Sequence, residues 1–456
     1  MGAKIRGLII QLLLYADDLT LTAESPEELQ LLLDALLKFS TAVGLTVSIK
    51  KSEIVIFGKE FYTGQHNYVF KYNDQYLEVT ESFIYLGSFL CDGTTEARAK
   101  RAFEYRMAKA KRALFLMQGR CRTLGVHNVF TRIHLLDSLV MSVLNAGCEI
   151  WCPVFLNDTS IHDRHPCEKW HRAALKNIMG LPKTTTTYIL MEELDRVPVA
   201  FAWMKLALGF WNRVVQKSED DYAYVAMSAT LQNNHGWIKH MRSALARWGV
   251  FHVMEELVEV DIEDIMDRMT NYWKSKTFIP DCTMQIRDIP DEISKGFKTL
   301  KYIKWFAADP DCARHVKFTA ALHRFDHINV VAKFRMGCHW LKCEKRIVAG
   351  REITRSQRLC ELCEYNKCED EMHIFECPFY NDIRLKFRHL FQHVCSDAFQ
   401  NNDMTVWSWV FLDENFRIFM NGYQDPCFWL DLSHFLIACR EKRKVGMRAI
   451  TSVNQV

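Results

Sequence analysis

Leu8-Ile9-Ile10-Gln11-Leu12-Leu13-Leu14-Tyr15-Ala16-Asp17-Asp18-Leu19-Thr20-Leu21-Thr22 decides how the first part of this chain is read. An apolar run reaches an aromatic residue, a small residue and two adjacent carboxylates, after which polar and apolar residues alternate. The pattern predicts strand, tight turn, strand, with Asp17 and Asp18 at the tip. Carboxylates held side by side on a hairpin suit divalent metal ions that handle phosphates. The plain alternative is a polar turn with no chemistry.

The residues that follow give further local signals. Ser25-Pro26-Glu27-Glu28 reads as a helix start, with Ser at the N-cap, Pro at the first helical position and Glu28 closing a capping box. Leu29, Leu32, Leu33, Leu36 and Leu37 recur at helical spacing, and Gly44 can end the segment. Leu45 to Ile49 and Ile54 to Phe57 alternate as strands around Lys50-Lys51-Ser52, and Phe83-Ile84-Tyr85-Leu86-Gly87 is another short strand. From Glu96 the character changes. Phe103, Met107, Ala110, Leu114 and Met117 form an apolar helical seam, and nine basic residues between Glu96 and Arg122 face only Glu96 and Glu104. A basic face on an amphipathic helix can track a phosphate backbone, though many such faces are simply solvated.

The order Tyr15-Ala16-Asp17-Asp18, helix, Gly44-Leu45 with Lys51-Ser52, then Tyr85-Leu86-Gly87 resembles the palm of non-LTR (LINE-type) retrotransposon reverse transcriptases. Ala146 to Trp151, and Trp170 to Lys176 leading into Gly180-Leu181-Pro182, look like their thumb. The resemblance implies RNA-directed DNA synthesis on an RNA template and a DNA primer, with Asp17 and Asp18 as catalytic carboxylates holding Mg²⁺. It also implies nucleic-acid contacts at Lys50, Lys51, Arg98, Arg101, Lys109 and Arg112. In that family a third carboxylate comes from an earlier strand, and here no Asp or Glu precedes Asp17. The Mg²⁺ site is therefore expected to be partial. The chain is expected to be a 5′-truncated polymerase, inactive alone; the sequence leaves open whether the missing N-terminal half is encoded upstream. The alternatives are a non-catalytic nucleic-acid-binding module built from the basic helix and the cysteine-rich segment below, or a structural or pseudogene product with no selected role.

A second motif lies far downstream. Cys360-x2-Cys363-x9-His373-x3-Cys377 has four ligand-type residues at spacings that let a loop and a helix end close on one Zn²⁺. Four protein ligands leave no open position, so the ion would be structural. Cys368 is an extra thiol, and Cys360, Cys363, Cys368 and His373 form an alternative set. The segment from Arg358 to Pro378, with Phe334 to Gly337 upstream and Tyr380 and Arg384 downstream, resembles the small zinc-binding module near the C-terminus of many LINE-type reverse transcriptases. That family's pattern uses the final Cys377.

Composition sets wide bounds. At 456 residues, 49% hydrophobic and 25% charged, the chain is long enough for two or three domains. A net charge of +3 does not announce nucleic-acid binding by itself. Sixteen cysteines without a secretory signal fit a reducing, nuclear or cytoplasmic compartment. No stretch reaches the length of a membrane span, and no membrane partner is expected. Glu255 to Asp267 reads as a solvated acidic helical face. The expected fold is α+β: a truncated palm sheet over 1–95, a helical thumb over 96–200, a helical linker region over 201–329, a zinc-binding module over 330–395 and a helical tail over 396–456.

Overall fold

The computed structural model describes residues 2–58, 68–158, 161–250, 254–277, 297–306, 317–344, 347–348, 351–354, 357–392, 413–421 and 426–453. Its class is α+β, with every sheet but one small hairpin before Thr95 and mostly helix thereafter. Two compact units emerge. Unit 1 comprises Met1–Phe115, Leu139–Glu168 and Pro198–Tyr272, and unit 2 comprises Leu116–Ser138, Lys169–Val197 and Trp273–Val456. The sequence-predicted thumb stretch, 96–200, contributes to both.

Unit 1 begins with two hairpins. Strand β1 (Ala3–Ile5) pairs with β2 (Leu8–Ile10), and β3 (Leu12–Tyr15) pairs with β4 (Asp18–Leu21), all antiparallel. Helix α1 (Pro26–Val43) follows. Ser25 Oγ accepts the Glu28 N–H at 3.2 Å, and Gly44 ends the helix with φ 72°. The capping box closes one residue early: the Glu28 carboxylate accepts from Glu24 N–H rather than from Ser25.

The next stretch departs from expectation. Residues 45–48 form no strand, and Ile49–Lys51 is a single 3₁₀ turn. Lys51 N–H and Ser52 Oγ both donate to Ser48 O, so the backbone spends its hydrogen bonds locally instead of on a ladder. Val47 and Ile49 still reach the small core of Leu33, Ile54, Phe70, Tyr72 and Leu77. The apolar alternation was therefore real while the strand was not. Strand β5 (Glu53–Val55) runs parallel to β7 (Gln75–Thr80), which pairs antiparallel with β6 (Phe70–Tyr72). A last hairpin, β8 (Ser82–Tyr85) with β9 (Ser88–Cys91), leads into the 29-residue helix α2 (Thr95–Thr123).

Along α2, Phe103, Met107, Ala110 and Met117 are buried, as the seam requires. Phe103 enters an aromatic cluster with Trp151, Phe155, His165 and Trp203, at centroid distances of 4.7–6.1 Å. Trp203 comes from helix Val199–Val215, where Trp203, Leu208, Trp211 and Val214 are buried while Leu206 is exposed. The expected acidic helical face is shorter than read. Its helix starts at Ile262, where Asp261 Oδ1 caps the N–H groups of Glu263 and Asp264.

Unit 2 is built around helices Phe325–Arg335 and Pro426–Val453. Arg335 is buried between them and its charge is fully engaged. It pairs with Glu193 at 2.7 Å and donates to the carbonyls of Met420 and Phe306. No described helix is long and apolar enough to cross a membrane. Of the expected tail, 396–412 lies outside the described residues.

Candidate functional site

The expected hairpin forms, with Asp17 in its turn and Asp18 as the first residue of β4 rather than at the tip. Tyr15 pairs with Asp18 across the β3–β4 hairpin, which leaves Ala16 and Asp17 as the two turn residues. Ala16 takes φ 53°, the left-handed sign that tight hairpin turns demand at their first central position. An alanine pays a steric cost there that glycine would not. Both residues are exposed. Two adjacent carboxylates can share a divalent ion, but among the described residues no third His, Cys, Asp or Glu joins them in a metal-sized group. Their donor type, carboxylate oxygen, is the one magnesium takes.

The expected nucleic-acid contacts separate into two places. Lys50 and Lys51 are exposed on the 3₁₀ turn after α1. Arg98, Arg101, Lys109 and Arg112 lie on α2 with Tyr105 between them. At 3.6 residues per turn these five positions fall within roughly 80° of arc, on the side of the helix away from the buried seam. Lys109 Nζ stands 4.5 Å over the Tyr105 ring, and Arg101 is half-engaged by Glu81 at 3.5 Å. Arg98, Lys109 and Arg112 are exposed. The Tyr105 ring packs on Phe89 at 5.4 Å and its hydroxyl is buried, so it is the exposed cations that offer a surface suited to a phosphate backbone.

In unit 2 the structure brings Cys360, Cys363, His373 and Cys377 together, with their ligand atoms all within 4.8 Å of one another. Cys368 is not in this group. The chain forms it with local devices. Cys360 N–H donates to Lys367 O and closes the loop, and Leu359 bridges to Cys368. Asp370 Oδ1 then accepts the His373 N–H and starts the one-turn helix His373–Glu376, which delivers Cys377. Cys360 Sγ and Cys377 Sγ are 3.9 Å apart, and Cys363 Sγ is 3.4 Å from His373 Nε2. A tetrahedron with zinc-type bond lengths has edges of about 3.8 Å between sulfurs and about 3.5 Å between sulfur and nitrogen.

The electrostatics suit thiolates. Leu362 N–H donates to Cys360 Sγ at 3.4 Å, and backbone N–H groups two residues on do the same for Cys363 and Cys377. The Cys360 thiol is pulled down to about 4, first by the hydrogen bond from Cys377. The Cys377 thiol is pushed up by that same bond and by burial. One sulfur is thus readied for ionisation at the expense of its neighbour, and a cation would relieve both. The His373 Nδ1 is buried with no hydrogen-bond partner, which leaves Nε2 as the ring atom facing the sulfurs. The donor set and spacing fit zinc.

Two features escaped the sequence reading. Arg384, which the spacing singled out only as part of a longer match, is buried and donates to Cys377 O at 2.7 Å. A positive charge beside three sulfur ligands offsets their negative charge. His339, Cys343 and Glu371 form a second buried group of metal-type residues. The His339-x3-Cys343 spacing was the available signal, but Glu371 lies too far along the chain to be linked to it without coordinates.

Residues 3–90 match a family model described as Reverse transcriptase (RNA-dependent DNA polymerase). The match takes in both N-terminal hairpins, α1 and the strands through β8, and leaves the cysteine-rich group outside it. None of the curated proteins and none of the solved structures compared matches the chain.

Proposed function

We propose that this chain is a reverse-transcriptase polypeptide of the non-LTR retrotransposon type that binds nucleic acid but does not polymerise on its own. The observation that carries the reading is the tip of the β3–β4 hairpin. Asp17 in the turn and Asp18 beside it stand exposed inside the segment that matches the reverse-transcriptase family. In this reading they hold magnesium ions, which would activate a primer 3′ hydroxyl and steady the departing pyrophosphate. Both carboxylates are open to solvent, so a primer end can approach. Like charge is what concentrates divalent ions, and two carboxylates without a third hold them weakly. Tyr15 and the α2 stripe position the strand, while the Cys360–Cys377 group holds a structural zinc that orders its own loop.

A second reading is supported by the α2 stripe alone: a non-catalytic nucleic-acid-binding module. Primer extension on an RNA template, together with binding measured across ionic strength, tests both, and Mg²⁺ binding that is lost in Asp17→Ala favours the first. The expected result is salt-dependent binding without incorporation. Incorporation that disappears in Asp17→Ala would overturn the inactivity. Binding that is flat across salt would remove the nucleic-acid reading altogether.

A further inference from the structure

Outside the Cys360 group, unit 2 contains a second cluster of metal-type ligands. His339, Cys343 and Glu371 each place one ligand atom within 4.8 Å of the others, and all three are buried. The His339 side chain has no exposed surface, and its Nε2 lies 2.8 Å from Glu371 Oε1. That approach is close but out of line for a hydrogen bond, and Glu344 Oε1 lies 4.0 Å from the same nitrogen. Cys343 Sγ stands 3.9 Å from Glu371 Oε2 and 4.0 Å from Glu344 Oε1. Imidazole, thiolate and carboxylate are the donor types that zinc takes.

What sets this cluster apart is its occupant. The Lys301 ammonium contacts Glu371 Oε1, the oxygen that His339 also approaches, and lies 3.2 Å from Glu344 Oε1. Lys301 is buried, and its ammonium meets both carboxylates. An ion ligated through that oxygen would stand almost in contact with a buried ammonium, away from the screening of water.

We propose that His339, Cys343 and Glu371 are a masked transition-metal site, in which the Lys301 ammonium fills the position a zinc-type ion would take. The native chain then holds one zinc, at Cys360, Cys363, His373 and Cys377, and none here. Lys301 belongs to helix Phe297–Trp305, and Glu371 lies two residues before His373. The lysine therefore ties that helix to the cysteine-rich loop through a charge that chelators cannot extract. Removing the ammonium leaves the buried Glu371 and the half-buried Glu344 carboxylates beside a histidine and a thiol, and a divalent ion would cancel them. On binding, the Cys343 thiol would release its proton to solvent as the sulfur–metal bond forms. The His339 proton would move from Nε2 to Nδ1, giving up only the long 3.3 Å contact from Leu341 N–H.

The test is a metal count by plasma mass spectrometry on the full chain purified with zinc, alongside Co²⁺ substitution followed by its sulfur charge-transfer absorption. The expected result is one zinc in the unchanged chain and in Cys343→Ser. Lys301→Met should carry two, and Lys301→Met with Cys343→Ser should return to one. In the Co²⁺ form the second ion should add about a third of the charge-transfer intensity of the first, one sulfur against three. Two ions in the unchanged chain, with one lost in Cys343→Ser, would overturn the masking, and that count does not depend on whether Lys301→Met folds. A folded Lys301→Met that gains nothing would overturn it as well. If the Cys360 group itself bound no zinc, the same one-ion gain in Lys301→Met would still be read, so the two claims fail separately.

Discussion

Arg443 and Glu369, 74 positions apart, meet in a two-pronged ion pair that is almost wholly buried, with Nη2 2.7 Å from Oε2. The pair fastens the terminal helix Pro426–Val453 to the loop that carries His373. Glu369 also accepts the Lys342 N–H at 3.0 Å, so three chain segments converge on one carboxylate. Arg443→Met leaves that carboxylate buried and uncompensated, a loss of about 3–5 kcal/mol. Urea denaturation should show the midpoint falling sharply for Arg443→Met and less for Arg443→Lys. Equal midpoints in all three proteins would show that water has access to the pair.

Zinc removal should act locally. Extraction by a strong chelator is expected to raise amide exchange across 357–386 while leaving helix Val199–Val215 protected, because ligand residues and their loop order together. His373→Ala and Cys377→Ser should each abolish stoichiometric zinc. Cys368→Ser should keep it, since Cys368 stands outside the four-residue group. Retention of zinc by Cys377→Ser would shift the assignment to the alternative set.

His171 should give the chain an acid-side weakness. Burial, with Arg196 adding to it, holds its imidazole down to about 4, against about 6.5 in an unfolded chain. The folded value is the lower one, so the unfolded state takes the proton first. Stability is full above about pH 6.5, falls between there and pH 4, and then levels off, with roughly 3 kcal/mol at stake. Comparing denaturation midpoints at pH 7.5 and 4.5, His171→Gln should lose less on acidification than the unchanged chain. Parallel profiles would remove the assignment.

Gly180 carries φ 66°, and a Cβ there would stand 2.6 Å from Asn329 Nδ2 and 2.7 Å from the Phe325 ring. That asparagine amide donates to the carbonyls of Met179 and Gly180, which end helix Pro166–Met179. Gly180→Ala is expected to cost more than about 2 kcal/mol, from backbone strain and displacement of that cap together. Gly125→Ala has a similar φ of 67° and nothing within 4 Å, so it isolates the backbone part. Thermal melts of the two variants should differ in that order.

The α2 stripe predicts a slope. If Lys109 and Arg112 each meet a phosphate, Lys109→Ala and Arg112→Ala should each lower the steepness of log affinity against log salt by about one. An unchanged slope in both charge variants would place the strand elsewhere.

What could be read from sequence alone tracks how local each signal was. The Ser25 cap, the Gly44 stop, the Asp17–Asp18 turn and the α2 seam each depend on neighbours within a few residues, and each appears in the structure. The expected strand at Leu45 failed because Ser48 and Ser52 offered the backbone a closer partner than any sheet, a competition that alternation does not reveal. Cys360 to Cys377 was legible because all four residues lie within eighteen positions. Lys301 and Glu371, seventy apart, had no spacing to betray them. The acidic face at Glu255 was overextended because like residues ran past the Asp261 cap, and charge alone does not mark where a helix begins.

Leu12, Leu13, Leu14 and Tyr15 are all exposed on a ribbon only two strands wide. Greasy side chains on both sides and free peptide groups along both rims give such a tab no preference for staying solitary. Concentrated preparations will accordingly stick to themselves through this corner first, and a light-scattering trace that responds to Leu14→Lys would reveal it.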